Sequence, residues 1–212
     1  MGGDPVKLGL VASLGQPGGN VTGVTQLNIV VASKRLQLLH ELLPTATVMA
    51  LLVDPTDPAN AEATKRDVQA AARNLRLELH VLNASTEHDF DTVFAEVIRL
   101  HAGGLVIGGG AFFTGPRIER LAAMAVRHAV PAVFESRQFV AAGGLMSYGG
   151  SLTDSYRLTG AYTARILKGE KPGELPVQQG TKLELYINLK SAKALGLNVP
   201  NTLIGRAEEV IE

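Results

Sequence analysis

The 212-residue chain carries 20 Lys+Arg against 20 Asp+Glu and is 46% apolar and 19% charged. That apolar share excludes a largely disordered chain. The zero balance argues against bulk binding to nucleic acid or an anionic membrane, since both need a surplus of Lys and Arg. In chain order, the Gly-rich residues 4–25 hold a turn at Pro17-Gly18-Gly19-Asn20 and then a short strand-like Val21–Val24. Lys34 to Leu43 predicts an amphipathic helix closed by Pro44. Val48–Val53 is a continuous apolar run ending at Asp54-Pro55, and Asn60–Leu75 follows with helical periodicity. The run Leu77–Leu82 ends at Asn83, and Asp89–Leu100 reads as a helix whose N-cap Thr86-Glu87-His88-Asp89 supplies. Gly104–Ile107 is a third run, ending at Gly108-Gly109-Gly110, with a helix over Pro116–His128. Ala132–Phe134 is a fourth, before Glu135. Leu145–Tyr148 reads as a strand, Thr153–Leu167 as a helix, Lys171–Gln179 as a linker or crossover, Leu183–Ile187 as a strand and Leu189–Leu195 as a short helix.

Short apolar runs alternating with amphipathic helices imply βαβ units and a doubly wound parallel α/β sheet whose strands are buried on both faces. In such sheets ligands sit beyond the carboxyl ends of the strands. That rule selects Asp54–Asn60, Asn83–Ser85, Gly108–Gly115 and Glu135–Phe139 as functional loops. No run of ~18 apolar residues reads as a membrane span. Met1-Gly2-Gly3-Asp4-Pro5 is not a signal peptide, so either the protein is cytosolic or the sequence continues upstream.

The chemistry-bearing patterns are few. Cys is absent, which removes disulfides, a thiolate nucleophile and Cys-ligated zinc. The five His form no metal-ligand spacing, and His40 and His128 sit late in helices, where packing or a dipole contact suits them. No metal or cofactor is expected. Gly108-Gly109-Gly110 lacks the Lys-Ser/Thr of a phosphate loop and reads as a turn that lets a ligand approach the backbone. Ser13, Ser136 and Ser147 stand outside any G-x-S-x-G elbow, so Ser147 is a structural or ligand-contacting hydroxyl. The segment Asp54-Pro55-Thr56-Asp57-Pro58-Ala59-Asn60 is either a capped βα loop or the polar rim of a ligand cleft, and it can be both. Glu135, at a strand end, either pairs with a ligand ammonium or is a solvated turn residue.

Several segments taken together resemble a known family. They are Gly3-Asp4-Pro5-Val6 with Gly9–Leu14 and Pro17–Gly23, Lys34–Pro44, Phe139–Gly149, Ile166–Pro172 with Leu175–Gln178, Leu185–Leu197, and Ala207–Ile211. The chain is similar, over essentially its whole length, to bacterial ABC-transporter substrate-binding proteins, in an uncharacterised group related to tryptophan and other amino-acid binders. The resemblance implies a type I periplasmic-binding-protein fold, with two α/β lobes that close on a small ligand by hinge motion. Members are longer and begin with a secretory or lipoprotein signal, so the chain is expected to be the C-terminal portion of such a protein. Residues 26–143 and 178–212 would form lobe 2, and 1–25 and 144–177 would be remnants of lobe 1, able to pair with a second copy as a homodimer. The implied function is solute binding without catalysis, in the periplasm, with a membrane permease as partner and no nucleic acid. Candidate ligand contacts are Asp54, Thr56, Asn60, Asn83 and Gly109, Phe112 or Phe113 as an apolar wall, Glu135 as charge partner, and Ser147 and Tyr148. Their mixture of carboxylates and hydroxyls with few aromatics fits a zwitterionic amino acid. The rival readings are the ligand-sensing domain of a transcription regulator and a small α/β hydrolase.

Overall fold

In the computed structural model, residues 4–6, 8–26 and 31–212 are described. They fall into two units, Ile29–Gly149 with Glu184–Glu212, and Met1–Asn28 with Gly150–Leu183. Gly3 of the resemblance and residues 27–30 of the expected lobe 2 lie outside the described residues.

The larger unit is built on a sheet of seven strands. They are β2 (Val48–Val53), β3 (Glu78–Asn83), β4 (Gly104–Ile107), β5 (Ala132–Phe134), β6 (Met146–Gly150), β8 (Leu183–Asn188) and β9 (Glu209–Ile211), in the order β3-β2-β4-β5-β6-β8-β9. β2 runs parallel to β3 and β4, β4 to β5, β5 to β6, and β8 to β9. Successive side chains of a strand face opposite ways, so each apolar run feeds two cores. Met49, Leu51 and Val53 join Val106, Val133, Met146 and Ile187 on one face. Ala50 and Leu52 join Leu105, Ile107, Ala132 and Phe134 on the other.

Helices cover both faces. α1 (Ala32–Leu42) and α2 (Pro58–Leu75) seal the first core with Leu36, Leu39 and Val68. α3 (Asp89–Arg99), α4 (Pro116–Arg127) and α5 (Arg137–Ala141) seal the second with Phe90, Phe94, Leu121 and Phe139. Burying one such side chain stabilises by about 1.5–3 kcal/mol, which explains why the strands need no alternating pattern. His128 stacks on Phe94 at 5.5 Å, the packing role expected of it. α7 (Leu189–Ala194) and α8 (Asn201–Ile204) complete the first layer.

Helix starts follow local chemistry. Asp57 accepts from the Asn60 N–H at 3.2 Å, with Pro58 in the first turn of α2. α3 has the acid expected in its first turn, Asp89, but not the expected side-chain N-cap. No side chain caps at His88, and the Asp89 carboxylate instead accepts the Ser85 and Thr86 N–H groups at 2.8 Å each. Those bonds hold the Asp89 carboxyl below the usual carboxylate range. α5 replaces part of the expected loop 135–139, because Ser136 caps it by accepting from the Gln138 N–H and Phe139 is fully buried.

In the smaller unit, β1 (Val24–Gln26) pairs parallel with β7 (Gln178–Gly180), beside α6 (Leu152–Leu167). β1 lies later than the expected Val21–Val24, because the Thr22 hydroxyl turns to the Leu175 carbonyl at 2.6 Å and Val21 is exposed. β7 overlaps only the last two residues, Gln178 and Gln179, of the expected linker or crossover. The Tyr162 hydroxyl donates to the Pro176 carbonyl at 2.6 Å and the Val177 N–H to Leu14 at 2.7 Å. Val6, Leu8, Leu10, Val21, Leu152, Tyr156 and Leu167 remain exposed on this unit.

Candidate functional site

The chain leaves β2 toward the α1–α2 face and leaves β4 toward the α3–α5 face. This reversal is the switch point of a doubly wound sheet, where a crevice opens at the carboxyl edge. Five loops or strand ends reach that edge: Asp54 and Thr56 after β2, Asn83 ending β3, Gly108–Gly110 after β4, Glu135 after β5, and Ser147 and Tyr148 within β6.

Glu135 is the centre of the constellation. Its carboxylate lies beside Gly109, where a Cβ would overlap Oε2, so any side chain there would push the carboxylate aside. The Asn60 Nδ2 donates to the Gly109 carbonyl at 2.9 Å and the Asn60 Oδ1 accepts from Thr64 Oγ1 at 3.3 Å, which braces the loop from α2. The glycine run therefore makes room for the protein's own carboxylate. From the opposite side comes Arg35 of α1, fully buried, with one guanidinium nitrogen 3.6 Å from Glu135 Oε2 and 3.3 Å from the Tyr148 carbonyl. Burial pushes the Glu135 carboxyl above its ordinary range, opposed by the Arg35 charge and the Gly110 N–H. Burial likewise pushes Arg35 down, opposed by Glu135. Guanidinium pKa values start so high that the pair stays charged on the arginine side. The Glu135 side chain keeps 17% of its surface accessible. Its Oε2 has no hydrogen-bond donor among the described residues.

The other expected residues divide by face. Asp54 is buried, and its Oδ1 accepts both the Thr56 N–H at 2.9 Å and the Thr56 hydroxyl at 2.6 Å, so the two are turned on each other. Asn83 is exposed at the end of the outermost strand. Tyr148 packs on the α1–α2 side. Ser147 pairs in register with Phe134, so it faces the α3–α5 layer, where its hydroxyl is buried with no hydrogen-bond partner among the described residues. Phe112 is half-buried on that same side, edge-on to Phe90 and Phe113 at 5.8 and 5.0 Å and covered by the Arg117 guanidinium at 4.7 Å. Phe113 is core. Gly109, braced by Asn60, and Arg35, tied to the Tyr148 carbonyl, thus gather around Glu135, while Phe112 and Ser147 belong to the opposite layer.

Arg35 is the residue that reading the sequence missed. Its signal was present: it falls within the apolar stripe Ala32, Leu36, Leu39, Leu42, where a charge has no surface to reach. Among the described residues, no three His, Asp or Glu side chains converge as metal ligands, and no helix is long and apolar enough to cross a membrane.

Relatives with known names share this architecture. A conserved domain protein from Vibrio cholerae superposes with a TM-score of 0.83 at 26% identity, covering 98% of this chain and 68% of that one. The ABC domain in complex with L-Trp from Streptococcus pneumonia gives 0.84 at 24% identity, covering 98% and 69%. These likenesses establish the type I periplasmic-binding-like α/β fold. A tyrosine-binding protein of Clostridioides difficile (strain R20291) is 24% identical over 200 residues, 92% of this chain. The chain spans only 55% of that relative's length. Residues 1–211 match the family described as ABC transporter substrate binding protein, and the chain belongs to that family.

Proposed function

We propose that the chain is the greater part of an extracytoplasmic solute-binding component of an ABC importer. It holds an amino acid at the carboxyl edge of the β2–β6 sheet and hands it to a membrane permease. The larger unit corresponds to lobe 2 and the smaller to part of lobe 1. Closure by a second lobe, which this fold class supplies, would make the bound state readable by the permease. The observation that carries the reading is Glu135, whose side chain keeps 17% of its surface accessible at the switch point while its Oε2 is buried facing Arg35. A ligand α-ammonium would pair with the carboxylate through its other oxygen, Oε1. Asn60 and Gly109 shape the carboxylate's seat, and Tyr148 borders it. The L-Trp held by the Streptococcus protein and the name of the Clostridioides relative support an aromatic amino acid as substrate. No step of the reading involves bond chemistry.

Titration calorimetry tests it, with L-Tyr, L-Trp, their N-acetyl derivatives and a sugar panel. Free amino acids should bind, N-acetylation should abolish binding, and Glu135→Gln should weaken it by about 30-fold, the equivalent of roughly 2 kcal/mol. Binding of a sugar, with silence from every amino acid, rejects the assignment. In this chain affinity should fall below that of a version extended upstream to full family length.

A further inference from the structure

We infer that Arg35 is a positioning residue of the binding site: its sealed guanidinium, tied to the Tyr148 carbonyl, holds the Glu135 carboxylate as an anion at one fixed point of the sheet edge. The inference rests on the reading of Glu135 as the partner of a ligand ammonium group, and deepens it.

The first ground is placement. Arg35 is fully buried between Ala32, Leu36 and Leu39, positions that pack the first core. Burying a charge there costs several kcal/mol before any attraction is counted, and apolar residues of similar volume often serve stability as well or better. A Met or Leu would suit the helix and the core. The arginine is therefore explained by what it faces.

The second ground is reach. One nitrogen approaches both the Glu135 carboxylate, at 3.6 Å, and the Tyr148 carbonyl, at 3.3 Å. Glu135 directly follows β5 and Tyr148 lies within β6, and the two strands are paired in register at Phe134 and Ser147. Arg35 thus bridges two neighbouring strands. Beside it Gly109, which has no side chain, admits the carboxylate, and Asn60 fixes the Gly109 carbonyl.

The third ground is what else could hold the charge. From α1 Glu135 meets Arg35, and from the loop after β4 it meets the Gly110 N–H. From α2 the bracing group is Asn60, which is uncharged, and from β6 Tyr148 turns its carbonyl to Arg35. Among the described residues, Arg35 is the cation acting on Glu135. Remove it, and burial favours the neutral acid. A neutral Glu135 cannot pair with an ammonium, so apparent affinity falls with the ionised fraction.

The test is Arg35→Gln in the whole chain, with two readouts. The first needs no ligand: the Glu135 carboxyl carbon is followed by NMR across pH 4 to 9. Its titration should move to higher pH in the variant, while Arg35→Lys, which keeps the charge, stays near the unaltered protein. An unchanged titration in Arg35→Gln overturns the inference. The second is calorimetry with L-Trp and L-Tyr. At pH 7 the variant should bind about tenfold more weakly, because burial without the Arg35 charge favours the neutral acid, and the gap should narrow toward pH 9. A loss that is the same at every pH marks Arg35 as merely structural and overturns the inference. If neither amino acid binds the unaltered protein, the functional reading fails while the carboxyl titration still decides the role of Arg35. Should Arg35→Gln not fold, the double variant with Glu135→Gln is made. A folded double variant supports the inference by naming the stranded carboxyl as the cause, and an unfolded one overturns it.

Discussion

Gly109→Ala isolates the closest contact of the site. The backbone of Gly109 is not in the left-handed region, so alanine meets no dihedral strain and any effect comes from the methyl group. An ideal Cβ would stand 2.9 Å from the Glu135 carboxyl carbon and 3.2 Å from Oε1, and closer still to Oε2. Ordinary carbon contacts lie near 3.5–4.0 Å, so the carboxyl must retreat by at least about 0.6 Å. Arg35 is already 3.6 Å away, and its own position is fixed by Tyr148 and the α1 core. Overpacking of this kind costs roughly 1–3 kcal/mol, and about 2 kcal/mol is expected here because the flexible end of Glu135 takes up part of the shift. Urea unfolding followed by far-UV circular dichroism measures the loss, read as a lower midpoint at unchanged slope. The decisive control repeats Gly109→Ala in an Arg35→Met, Glu135→Ala background, which removes the carboxyl without stranding the arginine. There the methyl should cost less than about 0.5 kcal/mol, the level at which independent sites add. Equal losses in both backgrounds would refute the claim that the glycine exists to admit Glu135.

Other outcomes follow from the same structure. Phe94→Ala should cost about 3–5 kcal/mol in urea unfolding, because its fully buried ring also supports His128 at 5.5 Å. Asp89→Asn should flatten the acid side of the stability curve. The folded-state carboxyl is held low by the Ser85 and Thr86 N–H groups, so its contribution is present above the ordinary Asp range and lost as pH falls through the depressed value. Urea midpoints between pH 2 and 6 would show no difference in slope if that account is wrong. Ser147→Ala should leave stability unchanged or raise it by up to about 1 kcal/mol, since it deletes a buried hydroxyl that has no partner among the described residues. A drop in amino-acid affinity of tenfold or more in that variant would instead assign the hydroxyl to the ligand.

The repeat of strand and helix between Val48 and Phe134 was legible because β2, β4 and β5 are buried on both faces and each helix shows one apolar stripe, whereas β3, expected to be buried twice over, is a partly exposed edge strand. Asp54, Asn60, Gly109 and Glu135 were reachable from topology alone, through the rule that loops at carboxyl ends carry function. What they do there was not. Spacing along the chain says nothing of Asn60 bonding Gly109 across 49 positions, or of Arg35 meeting Glu135 from another layer. β7 and β9 escaped notice for a different reason. Gln178-Gln179-Gly180 and Glu209-Val210-Ile211 are three residues each, and strands that short take their conformation from a neighbour rather than from their own propensity. Ser147 illustrates the period-2 rule in reverse. Adjacent to Tyr148 in sequence, it faces the opposite layer, so two neighbouring candidates cannot serve one site from the same side of the sheet.

The glycine run after β4 shows why a motif has to be read with its surroundings. Three consecutive glycines at a strand end suggest backbone N–H groups bared to an incoming phosphate. Here the space above Gly109 is taken by a side chain of the chain itself, and its carbonyl is bonded to Asn60. An anion approaching this edge would meet a carboxylate, whose field repels it and attracts a cation. The Gly110 N–H, the most exposed feature of a phosphate loop, already serves Glu135. The same residues that fail the phosphate reading are the ones on which the proposed ammonium contact rests, through a carboxylate placed by Arg35 of α1, Gly109 after β4 and the end of β5. A site built this way has its cost of ordering met during folding, which leaves more of the interaction energy for the ligand.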